Sequence, residues 1–371
     1  MKFTTNTRPL IEALNLGIID SNITNFYKRS CITQLTATAD ALIVNVESSM
    51  ICTEIRLNGV GEGDGVATAF VDSSLFKKLV NTLESNVCIE FDANGIKLQS
   101  GRSKFSLGNS IADAVDVSDF SLKSPKLPEA DVEFVNISKE DWKFIKDNQT
   151  YAVSSSFTHP VYTKIWVGED GDVLTGDYDI SLYTHSKHGT LGTSCLLSDT
   201  IINLLNSLPE TAQIAKVDND YVVKFAKDAY TYVTQFTPQY ESEEDVGSYR
   251  SDIFLSKMVH PEKSNKVFTK LVVKLLNQAL LLAPSNGDVI KITVNGDSMS
   301  VINANVNGQI ELEGDTNDLN YTINFRLDLL KQVISNYGDM FINISPLYDG
   351  ETPVGIIVWN DDLTTILAGV E

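Results

Sequence analysis

The chain has 371 residues, 43% hydrophobic and 21% charged, the composition of a folded globular protein with room for two or three domains. Its 29 Lys and Arg stand against 49 Asp and Glu, a net charge of −20. That excludes an ordinary basic nucleic-acid binder, so any contact with nucleic acid requires the cations to be confined to one face.

Cys31, Cys52, Cys88 and Cys195 lie far apart, form no CxxC pair, and read as reduced, mostly buried thiols of a cytoplasmic protein. Met1-Lys-Phe-Thr-Thr-Asn has no apolar signal region, and no run of about 18 apolar residues suggests a membrane span. Matches such as Asn22-Ile-Thr24 therefore lack a secretory context.

In chain order, one pattern occurs three times. An opening strand leads to a helix near Arg8–Leu16, then to strands within Ile32–Glu47. Ala67–Leu83 reads as strand, cap and helix, with Asp72 or Ser73 as N-cap, and the strands after it turn at Asp92–Gly95. The second copy has a helix near Lys139–Val153 and strands within Lys164–Thr184. Its strand–cap–helix unit is Cys195–Leu208, capped by Ser198 or Asp199, with a turn at Asp218–Asp220. The third has a helix near Asn265–Leu282, strands within Val289–Asn303, the unit Tyr321–Ser335 and a turn at Tyr348–Gly350.

A period of about a third of the chain marks a repeated domain rather than a solenoid unit. Linkers fall near Ser121–Pro128 and Glu241–Arg250, giving expected domains at 1–122, 128–244 and 250–371. Each would place two helices on largely antiparallel sheet, an α+β architecture.

Two stretches have unusual charge patterns. Past the turn at Ser100-Gly101, Arg102, Lys104 and Ser106 alternate with Ser103, Phe105 and Leu107. This is either an edge strand protected by its own charge or an edge awaiting a partner strand. Gln309–Asp315 is its complement, with Glu311, Glu313 and Asp315 on one face and Ile310 and Leu312 on the other.

The cations are segregated. Lys139, Lys143 and Lys146 form one helical stripe, with Trp142 and Ile145 pointing elsewhere. Lys266, Lys270 and Lys274 are spaced as a second stripe, in a segment, Ser264–Gly287, that contains no acid. Lys77 and Lys78 lie on the second helix of the first repeat, and Arg326 and Lys331 on that of the third. Lys28 and Arg29 follow the first helix. One such stripe is an ordinary solvated helix face, whereas several together point to phosphate contact. The helix at Thr200–Leu208 has no cation and breaks the pattern.

There is no Gly-x-x-x-x-Gly-Lys-Ser/Thr loop, so no ATP site is expected. His185 and His188 lie three apart in a Ser/Thr/Gly-rich loop, with no nearby Cys or acid in sequence to complete a metal site. Asp170, Asp172 and Asp177 read as turn residues. No acid/base constellation emerges, so neither catalysis nor a metal or other cofactor is expected.

The segment Ser100-Gly-Arg-Ser-Lys-Phe-Ser-Leu107, with Asp116–Phe120 after it, resembles the end of the first domain of the bacterial-type DNA polymerase sliding clamp (the beta clamp). Met1–Thr4, Thr234–Tyr240, Tyr321–Phe325 and the strand-ending C-terminus carry the same resemblance, which spans the chain with thin identity between anchors. It implies three clamp-fold domains per subunit and a head-to-tail homodimeric ring around duplex DNA, with helices lining the channel. It implies a processivity factor, without catalysis, that tethers a DNA polymerase and is loaded by a separate clamp loader. Arg102, Lys104 and Phe105 would meet Leu281, Leu282, Glu311 and Glu313 of the other subunit.

The resemblance also implies a partner-peptide groove. Thr175-Gly-Asp-Tyr-Asp-Ile180 stands where the family has Thr-Asp-Gly-His-Arg-Leu, so Asp177, Tyr178 and Asp179 depart from it. Pro238 and Tyr240 match, Pro353 joins them, and Ile366, Leu367, Ala368, Gly369 and Val370 stand at the family's apolar C-terminus, with Gly369 in place of a proline. The divergence suggests a viral origin. The alternative function is a clamp-fold scaffold that recruits proteins without encircling DNA.

Overall fold

A computed structural model of the chain describes residues 1–18, 31–48, 50–110, 121–128, 132–153, 160–177, 182–189, 191–239, 258–281, 289–302, 307–312 and 319–370. The first repeat runs β1 (Lys2–Asn6), α1 (Thr7–Gly17), β2 (Ile32–Ala37), β3 (Ala41–Glu47), β4 (Ile51–Asn58), β5 (Val60–Glu62), β6 (Ala67–Asp72), α2 (Ser73–Val80), β7 (Asn86–Asp92), β8 (Gly95–Ser100) and β9 (Ser103–Gly108). The second runs β10 (Val135–Asn136), α3 (Lys139–Asn148), β11 (Ile165–Val167), β12 (Val173–Asp177), β13 (Leu182–Ser186), β14 (Cys195–Leu197), α4 (Asp199–Ser207), β15 (Gln213–Val217), β16 (Asp220–Lys227) and β17 (Tyr230–Phe236). The third runs β18 (Asn265–Phe268), α5 (Thr269–Leu281), β19 (Val289–Asn295), β20 (Ser298–Ile302), β21 (Asn307–Glu311), β22 (Asn320–Arg326), α6 (Leu327–Ser335), β23 (Phe341–Asp349), β24 (Thr352–Trp359) and β25 (Leu363–Ala368).

Local chemistry sets these boundaries. The Asn6 side chain accepts from the Arg8 N–H at 2.9 Å at the start of α1, and Asp72 accepts from Leu75 at 2.7 Å at the start of α2. Apolar residues three and four apart then turn inward, as with Phe76 and Val80 on α2. Gly101, at φ +56°, supplies the left-handed backbone of the turn between β8 and β9. Arg102 also lies in that turn, not on the strand where the alternation placed it, because Ser100 pairs directly with Ser103.

The described strands form four antiparallel sheets, in the orders β5-β1-β7-β8-β9, β10-β15-β16-β17-β4-β3-β2-β6, β14-β11-β12-β13-β25-β24-β23-β18 and β21-β20-β19-β22. Both eight-stranded sheets are assembled from two repeats. β17 pairs with β4 over seven residues, from Tyr230↔Leu57 to Phe236↔Ile51, and β25 pairs with β13 from Leu363↔Ser186 to Leu367↔Leu182. The compact units consequently cut across the repeats: one comprises residues 1–139 and 203–238, the other 140–202 and 239–371.

In the first unit, α1 buries Leu10, Ala13 and Leu14, and Phe70, Phe76 and Tyr232 are fully enclosed. In the second, Val272, Leu276, Phe325, Leu330, Ile342 and Val358 belong to one continuous core. Burial of this kind contributes roughly 1.5–3 kcal/mol per large side chain. Of the cysteines only Cys195 is buried, and Cys31 is exposed. Among the described residues, no helix is long and apolar enough to cross a membrane.

The helix expected from Asn265 begins at Thr269. Val267 and Phe268 favour extended backbone, and Asn265–Phe268 pairs as β18 with Ile344–Phe341 of β23. Lys266 therefore stands on a strand, its ammonium 5.3 Å from the Phe341 ring centre, and does not continue the Lys270–Lys274 stripe.

Candidate nucleic-acid and partner interfaces

On α3, Trp142 and Ile145 are buried, which leaves Lys139 and Lys143 exposed and Lys146 half-buried on the other side. Lys146 Nζ lies 3.3 Å from Asp199 Oδ1 at the first turn of α4. On α5, Val272, Leu275, Leu276 and Ala279 turn inward, and Lys270 and Lys274 occupy the exposed stripe with Gln278 and Leu281. Lys270 Nζ lies 3.5 Å from Asp339 Oδ2.

Arg326 is the last residue of β22 and caps α6, rather than lying on the helix, because the alternating Tyr321–Phe325 segment stays extended to the cap. Its guanidinium forks onto Asp328, with Nε to Oδ1 at 3.3 Å and Nη2 to Oδ2 at 2.7 Å. Burial pushes the Asp328 carboxyl up, but the hydrogen bonds from Arg326 and the Leu329 N–H outweigh it and hold the carboxyl below its ordinary value. Lys331 is half-buried on α6. On α2, Lys78 is exposed, whereas Lys77 Nζ donates to the Ile18 carbonyl at 2.9 Å and so closes the end of α1. Lys28 and Arg29 lie outside the described residues.

The two charge-patterned strands both end their sheets. β9 pairs only with β8, and β21 only with β20, among the described residues. Lys104 is exposed opposite Gln99, and Phe105 lies opposite the fully buried Leu98 yet remains 38% exposed. Leu281, at 83%, is the most exposed large hydrophobic residue among those described. On β21, Ile310 packs against the core, Leu312 just beyond is buried, and Glu311 is exposed. Leu282, Glu313 and Asp315 lie outside the described residues.

Of the groove residues, Thr175 is buried: its hydroxyl donates to the Gln149 carbonyl at 3.2 Å and shares a hydrogen bond with Thr184. It anchors the strand and offers no side chain to a ligand. Asp177 is half-exposed where β12 ends. Leu367 is buried, whereas Ile366, Ala368, Gly369 and Val370 are part-exposed. Pro353 is half-buried on β24, opposite Tyr348 beside a bulge. Pro238 closes the first unit, and Tyr178, Asp179, Ile180 and Tyr240 lie outside the described residues.

Gly369 has a structural reason. A Cβ there would come within 2.6 Å of Ile323 Cγ2, and its N–H donates to the Val354 carbonyl at 2.7 Å. A proline would lose that bond and meet that side chain.

Sequence spacing gave no sign of a cavity of about 480 Å³ in the second unit, lined by His185, His188, His260, Asp361 and Asp362 among others. Acids absent from the local sequence reach these rings: His185 Nε2 is 2.7 Å from Asp172, and His188 Nδ1 is 3.4 Å from Asp141. No group of three or more His, Cys, Asp or Glu suited to a metal ion occurs among the described residues.

No family model matches the chain, and no curated protein matches it. Solved structures do. The DNA polymerase III subunit beta from Pseudomonas aeruginosa superposes with a TM-score of 0.75 at 12% identity, covering 100% of both chains. Pol III beta from Caulobacter crescentus gives 0.75 at 15%, again over 100% of both. The DNA polymerase sliding clamp from Bacillus subtilis gives 0.72 at 17%, over 100% of this chain and 99% of the other. The chain has the α+β fold of these clamps along its whole length.

Proposed function

We propose that this protein is a DNA sliding clamp: a non-enzymatic, cytoplasmic processivity factor of three domains per chain. Two copies close head to tail around duplex DNA and tether a DNA polymerase. The observation that carries the reading is a pairing rule. The last strand of the second repeat, β17, pairs with β4 of the first, and the last strand of the third, β25, pairs with β13 of the second. By position in the repeat, β21 is the counterpart of β4 and β13, and β9 that of β17 and β25. Unlike those counterparts, which pair on both sides, β9 and β21 each end a sheet among the described residues. Joining β9 of one copy to β21 of the next continues the same rule, and two such joints close a ring.

At each joint Lys104 would face Glu311, and Phe105 would bury near Leu281. The apolar contact contributes most, roughly 1.5–3 kcal/mol for a Phe, against about 0–1 kcal/mol for an exposed ion pair. The charges set register and partner choice.

The lysines of α3 and α5 fit a channel that attracts phosphate without reading sequence, which suits a protein held by topology. Asp177, Asp179, Pro238, Tyr240 and the C-terminal Ile366–Val370 form the proposed groove for peptides of the polymerase and a clamp loader. Sedimentation equilibrium tests the ring first. A mass of two chains is expected, and a monomer at all concentrations would remove the closed ring.

A further inference from the structure

Three cations assigned to the DNA-facing surface are each matched by a carboxylate of the chain itself. Lys146 meets Asp199 at 3.3 Å, Lys270 meets Asp339 at 3.5 Å, and Arg326 meets Asp328 at 2.7 Å. The acids come from separate places: the first turn of α4, the segment after α6, and the first turn of α6. Each matched cation has an unmatched neighbour on the same helix or the helix it caps. Lys143, Lys274 and Lys331 have no carboxylate in ion-pair range among the described residues. The helix without a cation, α4, is the one that supplies Asp199.

We propose that Asp199, Asp328 and Asp339 are internal competitors for DNA phosphate that keep the protein's grip on the duplex weak. The proposal rests on the reading of these helices as DNA-facing. A free lysine that meets a phosphate releases a counterion condensed on the DNA, which strengthens binding and makes it salt-dependent. A lysine already held by a fixed carboxylate must exchange one anion for another. The displaced carboxylate then takes up a cation from solution and cancels the release. Each matched cation thus contributes positive potential for approach but little net binding. A protein retained by a closed ring gains from this, because weak contact at every position keeps the barrier between neighbouring positions low. The unmatched lysines supply the net attraction, and the matched ones are held in reserve.

The test is fluorescence anisotropy of full-length protein with a labelled linear duplex across a salt series, with thermal melts to confirm folding. The triple variant Asp199→Asn, Asp328→Asn, Asp339→Asn should bind about three- to tenfold tighter at low salt, and its log–log salt slope should steepen by about one to three, up to ~0.9 per phosphate contact. Asp147→Asn, an exposed acid on α3, controls for net charge and should change affinity less than twofold. An unchanged slope in the triple variant, or an equal gain from Asp147→Asn, overturns the proposal. Lys143→Glu with Lys274→Glu separates the two claims. If that pair abolishes binding while the aspartate variants change nothing, only the competitors fail. If it leaves binding intact, or no protein in the set binds duplex, the DNA-facing reading falls and takes the competitors with it.

Discussion

Thr53 and Thr234, 181 residues apart in the chain, face each other across the β4–β17 pairing and share a buried hydroxyl hydrogen bond of 2.8 Å. Thr234 Oγ1 also lies 3.2 Å from the Cys52 carbonyl. The first and second repeats are thus sewn together by a polar contact inside a continuous sheet. Thr234→Val would leave the Thr53 hydroxyl buried without this partner and should cost about 1–3 kcal/mol. Replacing both with Val should cost less than the sum of the two single changes. Denaturant titration of the four proteins measures this, and strict additivity would show that the two hydroxyls do not act as a pair.

The proposed joint between copies makes a different demand. Phe105→Ala should shift dimer towards monomer more than Lys104→Ala does, because the apolar contact outweighs an exposed ion pair. Arg102→Glu with Lys104→Glu should also give monomer, and adding Glu311→Lys with Glu313→Lys should partly restore the dimer. Sedimentation equilibrium reads all of these. A double charge reversal that stays dimeric, or a compensating pair that rescues nothing, would place the joint elsewhere.

Much of this was legible in the chain. Trp142 and Ile145 face inward as their spacing requires, and the turns at Asp92–Gly95 and Asp218–Asp220 join strands that pair. What could not be read were the partners of strands and charges distant in sequence. The alternating patterns of β4 and β17 suit many partners, so nothing local in them specifies the pairing that makes Thr53 a neighbour of Thr234. Nor does Lys146 announce Asp199, 53 residues away. Lys266 misled for a local reason: its spacing from Lys270 and Lys274 is helical, but Val267 and Phe268 keep that backbone in a strand.

The proposed groove carries acidic residues in its first segment, Thr175–Ile180. Removing Ala368–Glu371 should weaken binding of the cognate polymerase peptide and leave the dimer intact. If Asp177 and Asp179 of that segment serve the proposed groove, the peptide should carry more positive charge than a typical clamp-binding motif. A peptide array in which added Lys or Arg lowers affinity would sink the electrostatic part.

Stability should depend on pH through His260. Burial pushes its imidazole below the ordinary value, and the charge of His185 adds to this. Its ring stacks on Trp359 at 4.8 Å, and Nε2 lies 2.8 Å from Thr364 Oγ1. His185, Lys187, His188, Asp361 and Asp362 share its cavity. With the folded-state pKa depressed, the unfolded chain binds the proton first as pH falls below about 6.5. The contribution of this histidine is therefore full above that value and is lost as pH drops through the folded pKa. The denaturation midpoint should fall between about pH 7 and pH 5, and His260→Gln should flatten that fall. An identical pH profile in the variant would contradict the assignment.

A closed ring holds DNA by topology, and retention on circular DNA is the measurement that reads it. Protein assembled on a nicked circular plasmid, with its cognate loader where one is needed, should remain bound through gel filtration at a salt concentration that abolishes binding to a short duplex. It should be released when one restriction cut linearises the plasmid. Lys143→Glu, Lys146→Glu, Lys270→Glu and Lys274→Glu together should abolish binding to the short duplex at low salt and leave the dimer intact. Equal loss from circular and linear plasmid, or equal retention on both, would contradict a ring around DNA.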